Sequence, residues 1–179
     1  MVKVAVLGSA SRREDSPEGL LARRVGELVA SAGAVLLTGG CMGLPHAAVA
    51  GARSLGGLTI AVSPAENRND HEVRFCYPND GDITIFTGMG TKGRNVVLVR
   101  SSDACVFIGG GMGTLNEFTI AFDDLDETRA IGVLTGTGGF SDELMGLAAM
   151  VERRTRALLT TDQDPAALMA RIFDHVNRH

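Results

Sequence analysis

Short apolar runs alternate with longer amphipathic stretches along the whole chain. The runs at 2–7, 34–37, 58–62, 83–86, 104–108 and 130–134, with a weaker one at 157–159, are built from Val, Ile, Leu, Ala and a few aromatics. They lack a regular polar alternation, which is the pattern of strands buried on both faces in a parallel sheet. The stretches between them carry helix punctuation. Ser16 precedes Pro17, an N-cap followed by proline at the first helical position, and Gly33 closes that helix. Leu20, Leu21, Val25, Leu28 and Val29 lie close to one stripe of it. Asp164-Pro165 opens the last helix in the same way, with Leu168, Ile172 and Val176 along one face. The alternation predicts an α/β fold with one domain over 1–179. The expected architecture is a Rossmann-like doubly wound sandwich, with a central, mostly parallel sheet of about seven strands flanked by helices.

The segment 88–103 is ambiguous. Val96-Val97-Leu98-Val99 suits a strand by composition, but parallel strands at 83–86 and 104–108 need a crossover of about a dozen residues. We therefore read 94–101 as a helix. Four consecutive apolar residues point around all its sides, so it is either wedged inside the monomer or, the reading preferred here, part of a homodimer interface.

Composition narrows the function. A chain of 179 residues with 45% hydrophobic and 21% charged residues is that of a soluble globular domain. A net charge of −4 and a pI near 5.5 speak against a nucleic-acid partner. Cys41, Cys76 and Cys105 are dispersed, without a C-x-x-C, and His46, His71, His175 and His179 do not cluster. This fits a reducing compartment and predicts no metal site. The run 2–7 is too short for a signal peptide, and no run reaches membrane-spanning length, so a cytoplasmic protein with no membrane partner is expected.

In a parallel sheet the strand-to-helix turns open on the carboxyl edge, where ligands bind. Four such turns are rich in glycine or small residues: 8–11, 38–43, 87–94 and 109–114. One glycine turn has an ordinary steric origin, whereas four on one edge point to a ligand lying across them. The last, Gly-Gly-Gly-Met-Gly-Thr, follows the apolar run 104–108 and opens a helix whose free N–H groups suit an anion such as phosphate. The candidate binding residues are Gly8, Ser9, Gly39, Gly40, Gly43, Gly110, Gly111, Met112, Gly113 and Thr114. Glu117 falls in the first turns of that helix, as either a partner for its dipole or a reagent. No turn matches G-x-x-x-x-G-K-[ST], G-x-S-x-G, or G-x-G-x-x-G with an acidic residue about twenty positions on, which disfavours P-loop, hydrolase-triad and dinucleotide chemistry. The turns suit one phosphate, a sugar and a base, and imply no cofactor.

Residues 109–117, Gly-Gly-Gly-Met-Gly-Thr-Leu-Asn-Glu, resemble the P-G-G-x-G-T-x-x-E signature of the proteins long labelled "possible lysine decarboxylase". That group includes the Lonely guy cytokinin-activating phosphoribohydrolases. Arg94, fifteen residues before Gly109, stands where the group places its active-site arginine. The opening 4–9 and the turn 38–43 are similar to it, and 136–140 resembles its less-characterised bacterial branch, which also contains molybdenum-cofactor carrier proteins. The resemblance covers roughly 2–150, with Gly109 in place of the usual proline and Asn95 in place of a lysine.

The resemblance implies the Rossmann-like fold and leaves two functions open. One is hydrolysis of the N-glycosidic bond of a nucleoside 5′-monophosphate to base and ribose 5-phosphate, with Arg94 and Glu117 as catalytic residues. Glu117 would stabilise charge at C1′ or position a water or a ribose hydroxyl, and Arg94 would pair with it or hold the phosphate. The other is non-catalytic binding of a phosphorylated heterocycle, such as the molybdenum cofactor, by a carrier or sensor. Lysine decarboxylation is rejected, because pyridoxal phosphate needs a lysine in context and only Lys3 and Lys92 exist. The polar segment 64–78 is either a lid, with Arg68, His71 and Arg74 as contacts, or a solvated loop. Cys41 either faces the ligand or is a small buried thiol. The acidic run 123–127 is either solvated or met by a basic partner.

Overall fold

In the computed structural model, which describes residues 1–179, the apolar runs become seven strands. They are β1 (Lys3–Gly8), β2 (Val35–Thr38), β3 (Thr59–Ser63), β4 (Ile83–Phe86), β5 (Ala104–Ile108), β6 (Ala130–Leu134) and β7 (Leu158–Asp162). Helices α1 (Pro17–Ser31), α2 (Leu44–Ser54), α3 (Gly90–Arg100), α4 (Met112–Asp124), α5 (Leu144–Met150) and α6 (Pro165–Val176) lie between and after them. A π-helical turn at Asp70–Arg74 and a 3-10 turn at Gly139–Asp142 complete the chain. Every strand pair is parallel, in the order β4-β3-β2-β1-β5-β6-β7. The expected doubly wound α/β sandwich is the observed fold.

Alternation along β1 divides the core. Val4 and Val6 face a layer containing Val25 of α1, Ala48 of α2 and Ile172 of α6. Ala5 and Leu7 face a layer containing Leu98 of α3, Phe118 of α4 and Leu144 of α5. Successive strand side chains point to opposite faces, so three helices cover each side of the sheet. The caps also form as read. The Ser16 side chain accepts from the Gly19 N–H, Asp164 accepts from the N–H groups of Ala166 and Ala167, and Gly33 ends α1 at φ +67°.

Two boundaries differ from the sequence reading. Helix α3 starts at Gly90 rather than 94, because residues 90–93 continue the helical turn back to the loop after β4. Leu98 and Val99 of α3 are fully buried within the monomer, while Val96 is 38% exposed. Strand β7 extends to Asp162, with Thr160 and Thr161 in register with Gly132 and Val133. Its polar threonines hide it in a hydrophobicity pattern, although a β-branched side chain favours a strand. At the amino edge of the sheet, Met1, Lys3, Asp103, Arg129, Val176 and His179 surround a hollow of about 380 Å³. No helix is long and apolar enough to cross a membrane.

Helices α1 and α2 touch backbone to backbone. A Cβ on Gly26 would stand 1.9 Å from the Ala48 carbonyl oxygen, and one on Gly51 would stand 2.0 Å from that of Arg23. In a free helix Gly→Ala stabilises by about 1 kcal/mol. Here the added methyl forces the helices apart, and Gly26→Ala is expected to destabilise the protein by about 1–3 kcal/mol. A Cβ on Gly146 in α5 meets nothing within 4 Å, so Gly146→Ala should instead raise the melting temperature. Thermal unfolding of the two variants checks the opposite signs.

Candidate functional site

Strands β1 and β5 are neighbours, but the chain leaves β1 for α1 on one face and β5 for α4 on the other. Their carboxyl ends therefore open a crevice, the position where such a sheet receives ligands. A cleft of about 500 Å³ occupies it, walled by the turns after β1, β2 and β5, the start of α3 and Tyr77.

The β5 turn supplies a row of donors. Gly109 and Gly110 have φ of +58° and +93°, which reverse the chain so that α4 begins at Met112. The first helical bond runs from the Leu115 N–H to the Gly111 carbonyl at 2.9 Å, and the N–H groups of residues 110–114 have no acceptor within the protein. Such groups, at the positive end of a helix dipole, suit an anion. Gly111, Gly113 and Thr114 line the cleft, and a Cβ on either of these glycines would meet only open space.

Arg94 faces the same space from the first turns of α3. Its guanidinium lies on the β2 turn so closely that a Cβ on Gly39 would stand 1.7 Å from Nη1. The residue is 5% exposed, makes no ion pair, and its Nε has no hydrogen-bond partner. A buried cation without a counter-charge is costly, and an incoming anion would relieve it.

Glu117 is 7% exposed, in the second turn of α4 rather than on an exposed first turn. Burial pushes its carboxyl up to about 7, against the opposing charges of Arg94 and Lys92. One end of the Asn95 amide faces the Asn116 amide at 2.9 Å. The other end faces only acceptors, Glu117 Oε1 at 3.1 Å and the Thr91 carbonyl at 3.0 Å, which identifies it as the nitrogen. Thr114 and Glu117 sit three residues apart on one face of α4, so donor row and carboxyl share the cleft. Cys41 both lines the cleft and is buried. Its thiol is pushed up to about 11 by burial and stays protonated at neutral pH.

Of the residues named from the sequence, Gly8, Ser9, Gly39, Arg94, Gly111, Gly113, Thr114 and Glu117 meet at the cleft. Gly40, Gly43, Gly110 and Met112 do not line it. Gly40 and Gly43 have φ of +69° and +78° and let the β2 turn close, Gly40 against His71 and Gly43 against the Ser9 carbonyl. Gly110 leaves room for Thr114, whose Oγ1 would be 2.1 Å from a Cβ there. The Met112 side chain points outward, 67% exposed.

His71 is not a ligand contact. It is fully buried and holds the 64–78 segment together, accepting from Ser63 Oγ at 2.8 Å and donating to the Pro78 carbonyl at 2.9 Å. Arg68 and Arg74 pair with Glu72 and Asp70 on the surface. The segment instead delivers Tyr77 to the cleft. Sequence reasoning missed Tyr77 as a site residue, and it placed the turn 87–94 at the binding edge without singling out Thr91, Lys92 or the following Asn95 as lining residues. A helix starting at Gly90 sets residues 91, 94 and 95 on one face, which was the available signal. The acidic run at the end of α4 and just beyond it does have basic partners: Asp123 meets Arg153, Asp124 meets Arg100 and Glu127 meets Arg156.

The walls of the cleft are joined by His46 of α2. Its Nδ1 lies 2.7 Å from Glu14 of the β1 turn region, and its Nε2 lies 3.0 Å from Asp80 of the loop carrying Tyr77. Burial works to lower the pKa of this ring, but the two carboxylates outweigh it and raise the pKa.

This geometry has relatives. A model of the SLOG cluster4 family matches residues 1–169. The chain belongs to that family. It is 40% identical over 125 residues to an uncharacterized protein of Archaeoglobus fulgidus, spanning 69% of this chain and 76% of the other. Among solved structures it is similar to the Moco carrier protein from Chlamydomonas reinhardtii, at 27% identity and a TM-score of 0.74 over 99% of each chain. It is also similar to the molybdenum cofactor binding protein from Rippkaea orientalis, at 28% identity and a TM-score of 0.70 over 95% of each. The branch that the sequence motifs resemble is thus the one to which this SLOG chain is matched.

The lifted Glu117 carboxyl has a consequence for stability. The folded protein holds a proton that the unfolded chain, with an ordinary value of 4.5, has lost. The contribution of this group to stability therefore falls as pH rises from about 4.5 to about 7 and levels off above, a loss on the order of 3 kcal/mol. Glu117→Gln should match the parent near pH 4.5 and exceed it by up to about this amount at pH 8.5. Urea unfolding at both pH values checks this.

Proposed function

We propose that the cleft binds a phosphorylated heterocycle, with the phosphate on the N–H groups of residues 110–114 and the ring and sugar toward Gly8, Ser9, Gly39 and Tyr77. The observation that carries this reading is that Gly111, Gly113 and Thr114, whose N–H groups have no acceptor within the protein, line the same cleft as Arg94, whose buried Nε has no partner. A volume of about 500 Å³ suits a ligand of mononucleotide or pterin size. The similarity to the two molybdenum-cofactor proteins supports a carrier or sensor that holds its ligand unchanged. The net charge of −4 supports a small-molecule ligand over nucleic acid, and the dispersed thiols support a cytoplasmic setting. The outward side of α3 around Val96 supports a homodimer, and light scattering in solution tests that part.

Glu117 favours a second reading. A carboxyl that titrates near 7 at the wall of such a cleft can give its proton to the leaving base as the C1′–N bond breaks, and take one back from the water that forms the new C1′–O bond. That is nucleoside 5′-monophosphate hydrolysis to base and ribose 5-phosphate. Incubation with a panel of nucleoside monophosphates separates the readings, since free base above a Glu117→Ala control means turnover, and its absence with retained binding means a carrier.

Both readings need Arg94. Removing one charge-assisted donor costs about 1.5–3 kcal/mol, so Arg94→Gln should weaken monophosphate binding by roughly 10- to 100-fold in calorimetric titration. The fold should not suffer, because the substitution removes a buried guanidinium that makes no ion pair and whose Nε has no hydrogen-bond partner. Equal affinity in parent and variant would overturn the placement of the anion.

A further inference from the structure

The chain carries a further glycine-rich turn, after β6, that does not line the cleft. Its polar groups are spent on the turn after β5. The Gly109 N–H faces Thr137 Oγ1 at 2.9 Å and Ser141 Oγ at 2.7 Å. The Gly109 carbonyl accepts from the Ser141 N–H at 3.1 Å, and the Gly110 carbonyl accepts from the Phe140 N–H at 3.0 Å. The two hydroxyls lie 2.8 Å apart with no solvent exposure, and donate onward to the Leu134 and Gly138 carbonyls at 2.8 and 3.0 Å. Asp142 closes the turn by accepting from the N–H groups of Gly136 and Gly138 at 2.7 and 2.9 Å. Gly139, at φ +63°, lies flat on Gly110, where a Cβ would stand 2.4 Å from the Gly110 oxygen and 3.0 Å from its nitrogen.

We infer that Thr137 and Ser141 are positioning residues for the anion site, holding the polyglycine corner in its donor-presenting shape although neither touches the ligand. The inference rests on the phosphate-binding reading above. A run of glycines has no steric preference of its own, and the positive φ of Gly109 and Gly110 is one choice among many for a free chain. The turn after β6 takes up the Gly109 N–H and both glycine carbonyls. The groups left over are the N–H groups of residues 110–114, and those of Gly111, Gly113 and Thr114 belong to residues that line the cleft. A corner fixed in advance binds an anion without having to order itself on contact. The two hydroxyls thus set phosphate affinity from behind.

The test uses Thr137→Val, Ser141→Ala and their double variant in the full chain, titrated with AMP, adenosine and inorganic phosphate. In the double variant, affinity for AMP and phosphate should fall about ten-fold or more, the scale of one or two lost hydrogen bonds. Affinity for adenosine should stay within about two-fold. Thr137→Ser and Ser141→Thr, which keep both hydroxyls, should retain the parent affinity. Without any ligand, amide exchange at Gly109 should accelerate at least ten-fold in the double variant, with broadened resonances for residues 110–113. Unchanged exchange, or an equal loss of adenosine and AMP binding, overturns the positioning role. A parent protein that binds AMP no better than adenosine, while the exchange result holds, overturns the phosphate reading and leaves the brace standing. The single variants serve where the double one fails to fold.

Discussion

The contact between the ends of β1 and β5 governs the whole site. The two strands run in register from Val4 beside Ala104 to Gly8 beside Ile108. At the last pair a Cβ on Gly8 would stand 2.3 Å from the Ile108 carbonyl oxygen. Only glycine allows that approach, and it brings the Ser9 loop next to the polyglycine corner just as the two chains part toward opposite faces. The crevice is the gap between diverging backbones, so its width follows from sheet geometry rather than from any side chain. Helices α1 and α4 then carry the loops away, each anchored by its own buried layer.

Electrostatics within the crevice are left unsettled by the protein alone. Arg94 has no counter-ion, Glu117 holds its proton up to about 7, and a row of amide donors ends the dipole of α4. Each of these is unfavourable for folding by itself. Together they constitute an environment that an anion with a polar ring would complete. Sites where several local rules are broken at once are where binding or chemistry is expected. Elsewhere many charged side chains pair on the surface, and α1 and α6 carry side-chain caps.

Much of this was legible in the residues. The strands stood out because burial on both faces makes them continuously apolar, and the caps because serine, aspartate and proline have few other reasons to be so placed. The β5 corner was visible because glycine repeats there at a spacing no ordinary turn requires. What stayed hidden was the division of labour among the glycines. Gly111 and Gly113 line the open cleft, whereas Gly40, Gly43 and Gly110 make room for protein atoms, and composition is blind to that difference. Tyr77 was hidden because it arrives on a long segment folded around the buried His71, a tertiary arrangement with no local periodicity. The role of the turn after β6 was equally invisible, since its partner glycine lies 28 residues earlier in the chain.

The small hollow bounded by Met1 and His179 sits across the full depth of the sheet from the crevice. Met1 and His179 are therefore close neighbours, far from the cleft. A module inserted in an exposed loop on that amino edge, for instance near Leu55-Gly56 between α2 and β3, would disturb neither layer of the core and would leave the shape of the cleft unaltered.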